Sequence, residues 1–82
     1  MSDVHALLID DNPQNLRVLS QLLAKQGVAT TEVNDPIGIE NLLPTLQPDV
    51  VFLDLEMPGS DGYEVRELIR SYYVDTPIIA YT

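Results

Sequence analysis

Cysteine and tryptophan are both absent from this 82-residue chain. Without cysteine there is no disulfide, thiolate metal site or cysteine nucleophile, a composition compatible with a reducing compartment. Cations are scarce as well: Arg17, Lys25, Arg66 and Arg70 stand against thirteen Asp and Glu, for a formal net charge of −9. Four cations build no basic stripe for neutralising phosphates, which argues against direct nucleic-acid binding and against attachment to an anionic membrane. No apolar run approaches the roughly 18 residues of a membrane span. The Met1-Ser2-Asp3 start lacks the basic opening of a secretion signal, so a cytoplasmic protein is expected. What the chain does contain is apolar. A hydrophobic share of 45% with 21% charged describes a globular chain with a core, read as a single domain over residues 1–82. A domain this short buries only about 60–65% of its unfolded surface.

Punctuation and periodicity order the elements. Val4 to Ile9 is a short apolar run ending in Asp10-Asp11, suited to a buried strand. Asn12-Pro13 supplies a capping side chain and a proline tolerated at the first helical position. A stripe of Leu16, Val18, Leu19, Leu22 and Leu23 then predicts a helix stopping at Gly27. Val28 to Val33, rich in β-branched residues but less apolar, predicts a strand nearer a sheet edge. Asp35-Pro36 repeats the cap-plus-proline start, and Ile39, Leu42, Leu43 and Leu46 give an apolar face, but Pro44 predicts an end or kink near Leu43. Val50 to Leu53 reads as a strand covered on both faces. Met57 to Gly62 is a loop, Val65, Leu68, Ile69 and Tyr72 predict a third helix to about Tyr73, and Ile78 to Tyr81 a fourth strand. This strict alternation predicts right-handed crossovers and an open parallel α/β sheet flanked by helices.

In such sheets, ligands bind beyond the carboxyl ends of the strands. Asp10 and Asp11 close the first strand, Asp54 the third and Thr82 the fourth. Any one of these acids alone reads as a solvated strand end. Together they are harder to dismiss. If the first and third strands are neighbours, three carboxylates meet, and either one keeps a proton or a cation sits between them. With only oxygen donors, the natural cation is a hard one such as Mg2+. A carboxylate beside such an ion can attack a phosphoryl donor to give an aspartyl phosphate.

Three runs then carry a resemblance: Leu7-Leu8-Ile9-Asp10-Asp11-Asn12, Phe52 through Gly62 with Asp54-Leu55-Glu56-Met57-Pro58 at its centre, and Pro77-Ile78-Ile79-Ala80-Tyr81-Thr82. Their content and order resemble the receiver domain of bacterial two-component response regulators. The resemblance implies a flavodoxin-like fold of strand order 2-1-3-4-5 and phosphorylation by a histidine kinase or phosphotransfer protein. It also implies roles: Asp54 as phosphoacceptor, Asp11 as a direct Mg2+ ligand, Asp10 as a ligand acting largely through water, and Glu56 contributing its backbone carbonyl to the metal. Thr82 corresponds to the switch hydroxyl that contacts the phosphoryl group. Met57 and Pro58 shape the loop, and Gly62 is expected to adopt a backbone conformation that other residues avoid.

A receiver of this family continues into a fourth helix, a fifth strand bearing a lysine, and a fifth helix, none of which lies within these residues. The expectation is therefore a truncated βαβαβαβ domain, lacking one positive contribution to phosphate binding. An apolar fourth strand left on an edge is a template for another chain, so a homodimer or higher oligomer through that strand or the uncovered sheet face is expected. Two alternatives belong to other classes. One is a degenerate interaction module that has lost phosphotransfer; the other is a metal-dependent phosphotransferase or nuclease-like domain built on Asp54-x-Glu56, disfavoured by the missing basic surface. Other residues read structurally: His5 as a strand residue without a metal partner, Lys25 as a solvated helix-terminal charge, Tyr72 and Tyr73 as core and rim, Tyr81 as sheet cover, and Arg66 with Arg70 as an exposed helix face.

Overall fold

A computed structural model of the chain describes residues 4–58 and 61–81. Its four strands, β1 (His5–Ile9), β2 (Ala29–Val33), β3 (Val50–Asp54) and β4 (Ile78–Tyr81), form one parallel sheet in the order β2-β1-β3-β4. Ile9 lies opposite Val33 on one side and Leu53 on the other, and Asp54 lies opposite Tyr81. This is the open parallel sheet expected of strict alternation, in the flavodoxin-like order that the resemblance implies. Because all strands run the same way, residues 10, 54 and 81 reach a single rim. The half-buried β2 stands at one edge, as its composition predicts.

Helix α1 (Pro13–Lys25) begins as its sequence requires: the Asn12 side-chain oxygen accepts from the backbone N–H of Gln14 at 2.9 Å and of Asn15 at 3.3 Å. It ends in a Schellman motif, with Gly27 at φ +80 and Val28 N–H donating to Leu23 C=O at 3.0 Å. The second helical segment is shorter than Asp35-Pro36 promises. Asp35 spends its side-chain oxygen on the Ile37 N–H in a tight turn, and Gly38 at φ +78 takes the chain out of helical conformation. Helix α2 therefore runs only over Ile39–Leu42, followed by a 3-10 turn over Leu43–Thr45. Pro44 sits at the start of that turn, where its missing N–H is not needed, and the helix stops where the proline predicts.

Helix α3 (Gly62–Tyr72) starts at Gly62, with Asp61 as its cap accepting from Tyr63 N–H at 2.9 Å. The expectation for Gly62 is corrected in kind: its φ is not positive. A Cβ there would lie 2.6 Å from both the Cα and the carbonyl oxygen of Leu55, so the glycine is needed for close approach of helix and loop. Arg70 also departs from the exposed-face reading. Its guanidinium donates to the carbonyls of Tyr73, Val74 and Thr76 at 3.0, 2.9 and 2.7 Å, closing the end of α3. Arg66 fits that reading, in an exposed pair with Glu67 at 3.6 Å. His5 finds a partner in the Thr31 hydroxyl at 2.7 Å across the β1–β2 pair, and Tyr73 donates its hydroxyl to Leu43 C=O. No described helix is long and apolar enough to cross a membrane.

Alternation along the strands divides the core. Leu7 and Ile9 of β1 with Val51 and Leu53 of β3 pack against Ile39, Leu43, Met57 and Ile69. Ala6 and Leu8 face the other way, onto Leu16 of α1.

Candidate functional site

The site forms where β1, β3 and β4 end. Asp10 follows β1, and its backbone N–H donates to Val33 C=O at 3.1 Å, which extends the β1–β2 ladder by one residue and carries the side chain to the rim. Its carboxylate is wholly buried. One oxygen accepts from Asn12 N–H at 2.9 Å; the other accepts from the Tyr81 hydroxyl at 2.7 Å and the Asn15 amide at 3.4 Å. Asp54, the last residue of β3, is 7% exposed and accepts from Glu56 N–H at 2.9 Å. Asp11 is exposed. One carboxylate oxygen from each of Asp10, Asp11 and Asp54 lies within 4.8 Å of the others.

Their electrostatics differ. Burial pushes the Asp54 carboxyl above its ordinary 3.8, and hydrogen bonding to Asp10 with the charges of Asp10 and Asp11 pushes the same way, against the Glu56 N–H. Burial would also raise Asp10, but hydrogen bonds from Asn12, Tyr81, Asp54 and Asn15 outweigh it and hold the group below 3.8. The Tyr81 phenol is raised by burial and by its bond to Asp10. A divalent cation relieves the repulsion, and a site built only of oxygen donors fits a hard ion such as Mg2+.

The predicted residues are thus brought together in part. Asp10, Asp11 and Asp54 converge. The Glu56 side chain is exposed and stands outside that acidic group, while its N–H holds Asp54. Met57 is buried and belongs to the larger core, below the loop. Thr82 lies outside the described residues. Tyr81 and Asn15 were not foreseen as site residues. Tyr81 does more than cover the sheet: the register that sets it opposite Asp54 is the signal for its place at the rim.

The profile of the response regulator receiver domain family matches residues 6–82. The chain belongs to that family. Receiver domains bind Mg2+ in an acidic pocket and interact with histidine kinases or phosphotransfer proteins. This receiver domain is 34% identical over 80 residues to the sensor histidine kinase RcsC of Escherichia coli K12, covering 98% of this chain and 8% of the kinase. It is 33% identical over 78 residues to the transcription factor SKN7 of Saccharomyces cerevisiae, covering 95% of this chain and 12% of the factor. The chain therefore spans only a small part of the length of these curated relatives. Among solved structures, the receiver domain of the sensor histidine kinase PA1611 from Pseudomonas aeruginosa, described with a magnesium ion coordinated in its active-site cleft, superposes with a TM-score of 0.85 at 31% identity. That superposition covers 99% of this chain and 68% of the other.

Proposed function

We propose that this domain accepts a phosphoryl group on Asp54 from a histidine kinase or a phosphotransfer protein, as one step of a two-component phosphorelay in the cytoplasm. The observation that carries this reading is the meeting of Asp10, Asp11 and Asp54 oxygens within 4.8 Å at the rim of a parallel sheet. In the reaction an Asp54 oxygen attacks phosphorus, the phosphorus–nitrogen bond of the donor phosphohistidine breaks, and the imidazole leaves with the electron pair. Asp10, Asp11, Asp54 and the backbone carbonyl of Glu56 would hold Mg2+, which when bound supplies charge neutralisation for the phosphoryl oxygens. Glu56 N–H already fixes the attacking carboxylate by donating to one of its oxygens. Thr82 takes the part of the switch hydroxyl. The domain is a phosphoacceptor, not a free-standing enzyme.

The test is incubation with a small phosphodonor and Mg2+. Acid-stable, base-labile phosphate that is lost with chelator and in Asp54→Asn supports the reading. Absence of label in the wild type favours the second reading, an interaction module without phosphotransfer.

Self-association fits either reading. In the sheet as described, β4 is an edge strand with Ile79 48% exposed, and an apolar groove of about 360 Å³ opens beside it between α1 and Phe52. The proposed occupant is a second copy of this chain. A monodisperse monomer in light scattering at tens of micromolar, a rough range for specific association, would exclude it. The charge of −9 supports a role without direct contact to nucleic acid or membrane.

A further inference from the structure

We propose that Tyr81 is a positioning residue of the metal pocket: its hydroxyl holds the Asp10 carboxylate in the orientation from which a divalent ion is bound. The inference rests on the Mg2+ reading of the pocket and adds to it a side chain on another strand.

Three observations carry it. First, the phenol of β4 reaches across the end of β3 to Asp10, two strands away in the sheet, and donates at 2.7 Å. Second, Asp10 is wholly buried, so no solvent replaces a lost donor. Its other partners are the Asn12 N–H at 2.9 Å on the opposite oxygen, the Asn15 amide at 3.4 Å and a protonated Asp54, which has no proton to donate once a cation is bound. Without the Tyr81 hydroxyl, that second oxygen would keep only the long amide contact. A carboxylate pinned on one oxygen can rotate about its side-chain bonds, whereas one pinned on both is set in plane, with its remaining lone pairs directed at the pocket. Third, the Tyr81 ring lines the apolar groove with Val18, Leu19, Leu22 and Phe52, so it has apolar neighbours that do not belong to the carboxylate cluster. Hydrogen-bonded support from outside the ligand set is what orients metal ligands, and removing such a partner typically weakens metal binding by about 10–100-fold.

Tyr81→Phe deletes the hydroxyl and keeps the ring. Mg2+ affinity is measured by calorimetry for the wild type, Tyr81→Phe and Leu22→Ala, the last altering the same groove without touching Asp10. Tyrosine emission is followed in the same titrations, because the chain has no tryptophan and a phenol bonded to a carboxylate is quenched according to the charge on that carboxylate. The expected result is binding weakened about tenfold or more in Tyr81→Phe, unchanged binding in Leu22→Ala, and an emission response to Mg2+ that the wild type shows and Tyr81→Phe lacks. Tyr81→Phe binding Mg2+ as tightly as the wild type, or more tightly, overturns the inference while leaving the pocket reading intact. So does equal weakening by Leu22→Ala, which would assign the effect to groove packing. Should Tyr81→Phe not fold, a wild type that binds Mg2+ without any emission response overturns it as well. Failure of the wild type to bind Mg2+ removes the pocket reading and this inference together.

Discussion

On one face of the sheet, Leu7, Ile9, Val51 and Leu53 disappear beneath Ile39, Leu43, Met57 and Ile69; on the other, Ala6 and Leu8 meet Leu16, Phe52 stays half-buried, and Val18 and Leu22 remain 57% and 55% exposed. The strands do not cause this difference, since β1 and β3 are apolar at both odd and even positions. The helices do. Among the described residues, two helical segments and the loop after β3 cover one side, and α1 alone covers the other. The acidic pocket lies on the rim common to both faces, but its supports are divided: the loop that fixes Asp54 is anchored in the closed face through Met57, whereas Tyr81, which fixes Asp10, stands in the open groove. The two carboxylates are therefore held with unequal firmness, and the comparison can be tested at neighbouring residues.

The largest expected effect comes from the adjacent pair Phe52 and Leu53, which point to opposite faces. Leu53→Ala, at a fully buried position, should cost about 2–5 kcal/mol in urea unfolding. Phe52→Ala should cost less than the about 3–5 kcal/mol usual for a buried phenylalanine, because one side of its ring borders the groove. A Phe52→Ala loss of the full about 3–5 kcal/mol of a buried phenylalanine would mean that the open face is covered in solution.

Next comes the response to pH and metal. Asp54 is raised in the folded state, so above 3.8 the folded chain holds more proton than the unfolded one, and stability falls as pH rises through the folded value. Asp10 is lowered, so its contribution is present above 3.8 and is lost as pH falls below it. Without divalent metal, the difference in stability between wild type and Asp54→Asn should therefore move against the wild type as pH rises from 3.8. Saturating Mg2+ should reverse that trend near neutrality, adding about 2.7 kcal/mol at a hundred times its dissociation constant. Thermal melts with and without chelator across that range check the sign, and a difference that does not vary with pH would break the assignment of Asp54 as the raised group.

Gly62→Ala is smaller and acts on the closed side. The new Cβ would meet Leu55 backbone at 2.6 Å, and backbone yields less readily than a side chain, so a loss of about 1–3 kcal/mol is expected. An unchanged unfolding midpoint would show that the helix can slide away from the loop, and with it that the wall behind Asp54 is soft.

These residues also mark where the sequence was informative. Asn12, Gly27, Pro44 and the runs at Leu7 and Val51 act locally, through capping, left-handed backbone or strand burial, and such signals are legible in a chain read alone. The convergence of Asp10, Asp11 and Asp54 was legible because parallel strands end on one rim. Tyr81 was not, because its partner is 71 residues away and the bond depends on the order in which strands lie side by side. Gly62 was legible as a required glycine, though for the wrong reason: sequence does not distinguish a positive φ from the close approach of another segment. Arg70 was misread because the carbonyls it caps belong to a turn whose path no periodicity describes.

The smallest effect is the most informative about the open face. Leu22→Gln exchanges an exposed apolar side chain of α1 for a polar one of similar helix propensity, so neither backbone preference nor buried area changes much in an isolated chain. Its unfolding free energy should stay within about 0.5 kcal/mol of the wild type. If a second copy occupies the groove, the wild type gains stability from association that Leu22→Gln forfeits, and that gain grows with protein concentration because only the folded state pairs. Melting the two proteins over a hundredfold concentration range separates these cases. Parallel curves leave α1 as a solvated helix, and curves that diverge as concentration rises place a partner over Val18, Leu22 and Phe52, beside the tyrosine that holds Asp10.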